Sequence, residues 1–383
     1  MGKRLQRFFV LAILLLLVAA GCASRQSGGQ QNAPQNDGSG ESGNQGNQLE
    51  AQQDEGSGPP LEGVNLTISF SPPTLGNIVG YKAMEIMEHW GASVDHVEIV
   101  STGTALQAIV AGQNQIGEGS VSQGYSSLHA GADLVMVGGH DSGNDWVLVT
   151  RKEITSLEQL KGKLYALGST RGEDPTLRNL AFSLTDLDPA VEPTAVLGGN
   201  SDRARAILAG QADAANLHLP WYNFLIAQTD DVHILLNYAE EFPAFLSDFY
   251  WAERSWAEQN HDVLVAWEMA NLIAARWVFD HPDAALDYAK AKIPEFNAEE
   301  EESVLEFFIE NQMWKPNGAM DLGIIQESYD ILRENVGFDG EPLNVADFAR
   351  PEYDREALAK LGEYQPGSMP RNIPADLPDS MRP

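Results

Sequence analysis

The sequence has a single cysteine and few basic residues. With only Cys22 in 383 residues, the chain can form no intramolecular disulfide and no CxxC zinc or redox site. Lys and Arg together number 24 against 55 Asp and Glu, which gives a formal net charge of −31 at pH 7. Because so acidic a surface repels phosphate backbones and anionic lipid headgroups, we expect no nucleic-acid partner. The same charge fits a secreted protein, a salt-adapted protein or one that attracts cations.

Recognisable catalytic motifs are also absent from the sequence. There is no GxxxxGK[ST] phosphate-binding loop, no HExxH zinc motif and no GxSxG nucleophile elbow. The carboxylates are many but scattered, so no pair can be nominated as acid and base. Hydrophobic residues make up 43% and aromatic residues 8%, which are ordinary values for a globular protein. We therefore expect one large or two smaller folded domains, no enzymatic activity, no metal and no cofactor.

The first residues are typical of an export signal. Basic residues at positions 3, 4 and 7 precede an apolar run of thirteen residues, 8–20. A membrane-spanning helix needs about 20 such residues, whereas a signal peptide needs fewer. The run leads into AAGC at 19–22, which is similar to the bacterial lipobox. We expect residues 1–21 to be a lipoprotein signal peptide and Cys22 to carry a lipid; a plain signal peptide or a short anchor is the alternative.

Residues 22–60 lack the pattern of a folded segment. They are mostly Gly, Ser, Gln, Asn and Pro with scattered acids, and they show no apolar periodicity. We interpret them as a disordered tether, which at this length reaches roughly 30–40 Å on average. Together with a lipid, the tether would hold a soluble domain at the outer face of a membrane.

From residue 64 onward, strand-like and helix-like segments alternate. The apolar run at 64–70 predicts a strand, and the spacing of apolar residues over 76–90 predicts a helix. A second set of such segments runs over 156–236, and 251–337 is nearly all helical in pattern. This alternation predicts two α/β units, each a parallel sheet with helices on both faces.

Several segments of the sequence occur in the order typical of one family. They are AIVAGQNQIG at 108–117, WVLVT at 146–150, ITSLEQLKGKL at 154–164, RAILAGQADAA at 205–215 followed by Pro220, NHDV at 260–263 and DHPDAA at 280–285. In this order they resemble solute-binding proteins of ABC importers, in the nitrate/sulfonate/taurine and thiamine-precursor group (NMT1/THI5-like). Glu158-Gln159 is a minor departure from the family pattern. The resemblance covers about residues 61–340.

This resemblance implies the α/β type II periplasmic-binding-protein fold. Two α/β lobes would be joined by two crossover strands, with a C-terminal helical segment and a ligand between the lobes. The first lobe would comprise 61–147 with 252–340 and the second 148–251, and 341–383 would be a partly disordered extension. The resemblance also implies an extracytoplasmic, lipid-anchored monomer. Its partners would be a small-molecule solute and the transmembrane subunits of an ABC permease, and it would use no cofactor.

Loops after the predicted strands supply the candidate ligand-binding residues, because open α/β sheets bind ligands at the carboxyl ends of their strands. In the first lobe and its crossover the candidates are Ser71, Thr74, Asn77, Ser120, Ser122, His140 and Trp146. For three of them another role is open. Ser120 could be only a helix cap, His140 could serve the hinge, and Trp146 could pack in the core.

In the second lobe the candidates are Ser169, Thr170, Arg171, His218 and Trp221. The first three lie between a strand and a helix, where hydroxyls, a guanidinium and a helix N-terminus could hold a sulfonate, carboxylate or phosphate. Arg171 could instead pair with Glu173 or Asp174 at the surface. Trp221 could stack on a planar ligand or pack under its own helix.

Three functions agree with these features. The first is a transport receptor that captures a solute and delivers it to a permease. The second is a sensor or scaffold lipoprotein of the same fold. The third is an enzyme similar to thiamine-pyrimidine synthases, which by resemblance use a cysteine-rich segment that this chain lacks. For the transport receptor, the expected ligand is a sulfonate or other organic anion, or a pyrimidine-like heteroaromatic compound.

Overall fold

The computed structural model describes residues 58–99, 102–141, 144–170, 172–294, 296, 298–335, 337–338 and 340–366. The predicted signal peptide, Cys22, the tether to residue 57, Arg171 and the end of the predicted extension lie outside these residues. The strands are β1 Asn65–Phe70, β2 Ser93–Glu98, β3 Ile116–Ser120, β4 Leu134–Asp141, β5 Trp146–Arg151, β6 Tyr165–Leu167, β7 Thr194–Val196, β8 Ala214–His218, β9 Val232–Asn237 and β10 Asp248–Glu253. They form two five-stranded sheets, in the orders β2-β1-β3-β10-β4 and β7-β6-β8-β5-β9.

Helices surround both sheets. They are α1 Ile78–His89, α2 Thr102–Val110, α3 Val121–His129, α4 Glu173–Ser183, α5 Asn200–Leu208, α6 Leu219–Ile226, α7 Tyr238–Glu241, α8 Arg254–Gln259, α9 His261–Asp280, α10 Pro282–Lys292, α11 Ala298–Glu310, α12 Leu322–Asn335, α13 Val345–Phe348 and α14 Pro351–Leu361. A single turn of 3-10 helix covers Leu157–Leu160. No described helix is long and apolar enough to cross a membrane.

The first sheet packs its core against α1 and α9. Phe70 of β1 and Trp267 of α9 are both buried there. Gly80 of α1 permits the close approach, because a Cβ at this position would collide with the Phe70 ring. Among the described strands, β2 is at the edge of the sheet and pairs only with β1. Its side chains are therefore mostly exposed.

Both sheets are mixed rather than parallel, which corrects the prediction from the strand–helix alternation. In the first sheet β10 runs antiparallel to β3 and β4. In the second, β5 runs antiparallel to β8 and β9. These two strands are the ones that arrive from the other sheet, over 142–145 and 242–247. Because such a strand enters directly, without a crossover helix beside its neighbours, it can take the antiparallel direction.

The C-terminal helices belong mainly to the first lobe. The long helix α9 is buried along most of its length, and α14 packs on it through Tyr353, Ala357 and Leu361. Two other C-terminal helices reach the second lobe, since α11 contacts α6 and α12 contacts α4. The arrangement is the two-lobe α/β architecture with two crossovers that the sequence predicted.

Candidate ligand cleft

The strand ends of the first sheet carry small polar side chains. Ser120 and Ser122 are buried where β3 passes into α3, and their hydroxyls lie 3.3 Å apart. Asn77, also buried, accepts a hydrogen bond from the Thr74 N–H at 2.8 Å and donates to the Pro72 carbonyl at 3.0 Å. Asn77 therefore shapes the loop after β1, whereas the Thr74 side chain is exposed.

A buried ion pair organises the strand ends of the second sheet. Asp174, in the first turn of α4, lies 3.6 Å from Arg203 of α5, and both side chains are buried. Asn216 of β8 donates to the Asp174 carboxylate at 3.0 Å. Arg203 also donates to the Asn216 carbonyl at 3.1 Å, the Gly198 carbonyl at 2.7 Å and the Asn200 side chain at 2.9 Å. With its three nitrogens thus occupied, Arg203 positions these loops rather than offering a charge to a ligand.

His218 joins the end of β8 to the first crossover. Its Nδ1 lies 2.6 Å from Asp145 Oδ1, and its ring lies 3.7 Å, centroid to centroid, from that of Trp146. Burial alone would lower the pKa of His218, but the Asp145 carboxylate outweighs it and raises that pKa above its ordinary value. His218 therefore keeps its positive charge up to a higher pH than a free histidine would.

Glu173 links the second lobe to the second crossover. Its Oε1 accepts a hydrogen bond from Ser247 Oγ at 2.6 Å. Burial raises the pKa of Glu173 to about 7, and the Asp145 and Asp174 carboxylates act in the same direction. Glu173 therefore changes its charge near neutral pH at the point where the chain returns to the first lobe.

Two buried donors at the first crossover have no acceptor within the part of the chain that the structure describes. Asn144 and Trp146 are each only 5% exposed. Among the described residues, nothing accepts a hydrogen bond from Asn144 Nδ2 or Trp146 Nε1. Since a buried donor without a partner costs roughly 1–3 kcal/mol, an acceptor atom of a ligand here would remove a real penalty.

The two lobes touch beside these groups. A Cβ on Gly172, at the start of α4, would lie 2.5 Å from Gln123 Nε2 of α3. On α6 and α11, Asn223 Nδ2 donates to Ser303 Oγ at 3.4 Å. The lobes are therefore in contact where α3 meets the start of α4 and where α6 meets α11.

Comparison with family models supplies the decisive likeness. Residues 86–285, more than half of the chain, match the model described as NMT1/THI5 like. The chain belongs to the NMT1/THI5-like family. Comparison with curated protein sequences gives no match.

Several solved structures have a fold similar to that of this NMT1/THI5-like chain. The periplasmic aliphatic sulphonate binding protein SsuA from Escherichia coli has a TM-score of 0.61 at 18% identity, covering 76% of this chain and 99% of that one. The alkanesulfonate-binding protein SsuA from Xanthomonas axonopodis pv. citri, bound to MOPS, has a TM-score of 0.59 at 17% identity and covers 76% and 99%. The periplasmic nitrate-binding protein NrtA from Synechocystis PCC 6803 has a TM-score of 0.62 at 13% identity and covers 78% and 89%. These likenesses confirm the predicted periplasmic-binding-protein fold.

The predicted site residues fall into three groups in this NMT1/THI5-like structure. Close to the crossovers lie Ser120, Ser122, Trp146 and His218. Ser71 and Asn77 shape the loop after β1, whereas Thr74, Ser169 and Thr170 have exposed side chains and Trp221 packs on Phe224 with ring centroids 5.5 Å apart. Arg171 and the His140 side chain lie outside what the structure describes.

Two alternatives from the sequence can be compared with observed contacts. Ser120 occupies the cap position of α3, but its side chain makes no capping hydrogen bond. Glu173 and Asp174, the surface partners considered for Arg171, instead contact Ser247 and Arg203.

Sequence reasoning missed the residues with the most contacts. Asp145, Glu173, Asp174, Arg203 and Asn216 were not among the candidates. One signal was available, because Asn216 is a lone amide within the apolar strand 214–217. A polar side chain in such a strand needs buried partners.

Proposed function

We propose that this NMT1/THI5-like protein is the solute-binding component of an ABC importer, and that it holds its ligand between the two lobes. The observation that carries the proposal is the convergence of polar strand ends from both sheets at two crossovers, where the lobes already touch. Ligand sites in open α/β sheets occur at such strand ends. Hinge closure around a ligand is a recognised motion of periplasmic binding proteins. The proposal requires binding and release but no chemical step.

The chemistry of the cleft suggests what the ligand presents. Among the described residues, the Asn144 amide and the Trp146 indole N–H at the first crossover are donors without acceptors. The Ser120 and Ser122 hydroxyls lie at the end of β3, which pairs with β10 beside the second crossover. These groups favour a small organic ligand with acceptor atoms, such as a sulfonate, a carboxylate or the ring nitrogens and carbonyls of a pyrimidine. The named relatives bind sulfonates and nitrate, which supports an anionic group as the first choice.

The proposed partners follow from this role. An importer's receptor works outside the cytoplasm, and the lipobox-like AAGC at 19–22 would attach it to the membrane beside the permease subunits. The acidic surface then serves solubility rather than nucleic-acid or anionic-lipid binding. We propose that the protein acts as a monomer.

A thermal-shift screen of the purified protein tests the function. The set comprises sulfonates, aromatic acids, pyrimidines and polyamines, and calorimetry then measures the affinity and stoichiometry of each hit. A ligand present at about 100 times its dissociation constant adds about 2.7 kcal/mol to the free energy of unfolding. We expect one hit class that binds one molecule per chain without turnover. A hit that the protein converts to a product would overturn the transport assignment in favour of catalysis.

Replacement of Trp146 by Phe tests the position of the site. Phe keeps an aromatic ring beside His218 but removes the indole donor, so the affinity for the identified ligand should fall at least about tenfold, which corresponds to about 1.4 kcal/mol. Trp221→Phe, on α6 and packed on Phe224, is the matched control and should leave the affinity unchanged. Equal affinities of both variants and the parent protein would show that the ligand does not bind at the first crossover.

A further inference from the structure

One side chain of the second lobe contacts the segment that returns the chain to the first lobe. Glu173 is the first residue of α4, and its Oε1 accepts a hydrogen bond from Ser247 Oγ at 2.6 Å. Ser247 is the last residue before β10 and is 4% exposed. The Glu173–Ser247 contact therefore joins an element of the second lobe to the buried end of the second crossover.

The first lobe holds this end of the crossover through two backbone groups. The Ser247 carbonyl accepts a hydrogen bond from the Val121 N–H at the start of α3, at 2.9 Å. The Leu246 N–H donates to Ser328 Oγ of α12 at 3.2 Å. Since α3 and α12 fix the crossover here, movement of α4 away from the first lobe breaks the Glu173–Ser247 contact.

The charged groups closest to Glu173 form two ion pairs of their own. Asp145 of the first crossover lies 2.6 Å from His218 Nδ1 of β8, and Asp174 of α4 lies 3.6 Å from Arg203 of α5. Among the described residues, no ion pair includes Glu173. When Glu173 ionises, it therefore adds a negative charge beside two carboxylates whose partners are already engaged.

The other elements packed against α4 place their charges further out. These elements are α3, α12 and β8. Besides tyrosines, their remaining titratable side chains and those of α4 are half-buried His129 at the far end of α3, exposed Glu327, Asp330 and Glu334 and half-buried Arg333 of α12, and Arg178 of α4. The crossover has no titratable residue over 242–247, and Asp248 follows it. Arg171, two positions before Glu173 in the sequence, lies outside the described residues.

The protonation of Glu173 depends on whether the lobes are together. Burial raises the pKa of Glu173 to about 7, and the Ser247 hydroxyl and His218 oppose this without outweighing it. Separation of the lobes would return water to the carboxyl and move it away from the first crossover, so its pKa would fall toward the ordinary 4.5. Because the contact arrangement binds the proton more tightly, protonation favours lobes that are together and ionisation favours lobes that are apart.

We propose that Glu173 makes closure of the two lobes sensitive to pH: the neutral side chain holds α4 against the second crossover, and its ionisation lets the lobes separate. The closing effect is fully present below about pH 4.5 and is lost as the pH rises through about 7. His218 keeps its positive charge through most of this window, because its pKa is raised. The inference concerns the closing motion that the proposed function requires, but it needs no bound ligand.

A distance measured between the lobes of the ligand-free protein tests the proposal. Spin labels are attached to Ala227→Cys, just after α6, and Glu306→Cys, on α11, which are exposed positions beside a contact between the lobes. The full chain carries Cys22→Ser as well, so that the labels are attached to the only two thiols. Electron paramagnetic resonance then gives the distance distribution between pH 5 and pH 8. We expect a short distance at pH 5 and a longer one that gains population by up to about tenfold per pH unit toward pH 7.

Two variants identify the titrating group. Glu173→Gln keeps an acceptor for Ser247 but cannot ionise, so the short distance should persist from pH 5 to pH 8. Glu258→Gln removes an exposed acid on α8, away from both crossovers, and should follow the parent protein. A pH response that is lost only in Glu173→Gln would support the proposal.

Three results would overturn it. The first is a distance distribution in the labelled parent that is the same at pH 5 and pH 8. The second is a response of equal size in Glu173→Gln, which would assign the titration to another group. The third is a longer distance that gains population as the pH falls. None of these results bears on solute binding, whereas a protein that binds no solute could still show the pH response, so the two proposals fail separately.

Discussion

Single residues in the second lobe act through buried charge. Arg203 is 3% exposed and faces Asp174 at 3.6 Å. Replacing it with Ala would remove the positive charge beside the buried Asp174 carboxylate and the donors to the Asn216 and Gly198 carbonyls. Removal of one member of a buried pair typically costs about 3–5 kcal/mol, so we expect Arg203→Ala to lower the free energy of unfolding by about that amount in urea denaturation.

A matched change on the same helix distinguishes this from a general effect of charge. Arg205, two residues along α5, is exposed and lies 3.9 Å from Asp202. Exposed pairs contribute about 0–1 kcal/mol, so Arg205→Ala should be close to the parent protein. Adding Asp174→Asn to Arg203→Ala should recover part of the loss. Equal stabilities of the two single Ala variants would contradict the role assigned to the buried pair.

Glu173, which contacts Ser247 of the second crossover, makes the stability of the protein depend on pH. Its pKa rises from an ordinary 4.5 to about 7 in the folded protein. The folded state therefore binds the proton more tightly than the unfolded state, and the resulting stability is fully present below about pH 4.5 and is lost as the pH rises through about 7. One pKa unit corresponds to about 1.4 kcal/mol, and the loss should stay below about 3 kcal/mol because Glu173 is partly exposed.

The test is a series of thermal or urea unfolding curves across that window. Glu173→Gln should flatten the fall in stability, since it keeps an acceptor for Ser247 without a titrating charge. His218, whose pKa is also raised, contributes a fall in the same direction, so some slope should remain. Glu302→Gln, an exposed acid on α11, should follow the parent curve. A Glu173→Gln curve as steep as the parent's would show that another group titrates.

Individual site residues were harder to predict than their neighbourhood. Hydroxyls at strand ends directed attention to Ser120 and Ser122, and both are buried near the crossovers. The buried acids of the second lobe and its crossovers, Asp145, Glu173 and Asp174, were not distinguishable among 55 Asp and Glu in the sequence. Asp174 became notable only because Arg203 and Asn216, distant in sequence, are brought to it by α5 and β8. Such partnerships depend on tertiary contacts that a single sequence does not contain.

Among the elements, the start of α4 is the most constrained. Gly172 precedes it with φ 103° and ψ −156°, a region essentially restricted to glycine that costs other residues about 1–3 kcal/mol. A Cβ there would also lie 2.5 Å from Gln123 Nε2 on α3. Gly172→Ala should therefore lower stability by about 1–3 kcal/mol and also weaken ligand binding, because the lobes could not approach as closely.

Two variants separate backbone strain from the contact between lobes. Gly162→Ala places a Cβ at φ 71° with nothing within 4 Å, so it should lose stability but keep ligand affinity. Gln123→Ala combined with Gly172→Ala should restore the affinity without restoring the stability. If affinity follows stability in every variant, as measured by calorimetry and denaturation, the lobe contact has no part in binding.

Most elements were predictable from periodicity, and the exceptions have physical causes. The helix α5 begins directly after Gly199, which holds its cap position, although Ser201 two residues further on is the residue type that helix caps prefer. The antiparallel direction of β5 and β10 depends on which sheet a strand joins. That choice is made by long-range contacts, so the local pattern predicted the strands but not their direction.

At the scale of the whole molecule, the two-lobe architecture was predicted from the order of family-like segments rather than from any one of them. The matched region, 86–285, includes both crossovers and the whole of the second sheet. The later helices were predicted as helices by their apolar stripe, but α14 lies after residue 340, where Pro and polar residues suggested an extension. It is buried against α9 through Tyr353, Ala357 and Leu361. These residues have helical spacing in the sequence, but the pattern covers only a short segment.

The proposed attachment of the protein to a membrane rests on Cys22. If a lipid on this residue is the anchor, Cys22→Ser should move the protein from the detergent-extracted membrane fraction to the soluble fraction or leave it as an uncleaved precursor. Mass spectrometry of the parent protein should show a diacylglycerol-modified N-terminus at Cys22, since the apolar run of thirteen residues is too short to span a bilayer reliably.

Ser27→Ala, five residues along, is the control and should stay with the membrane. Ligand affinity should be the same for both variants, because the predicted tether, at roughly 30–40 Å on average, would separate the lipid from the proposed ligand site. Membrane retention of Cys22→Ser at the parent's mass and amount would assign the anchoring to the apolar run instead.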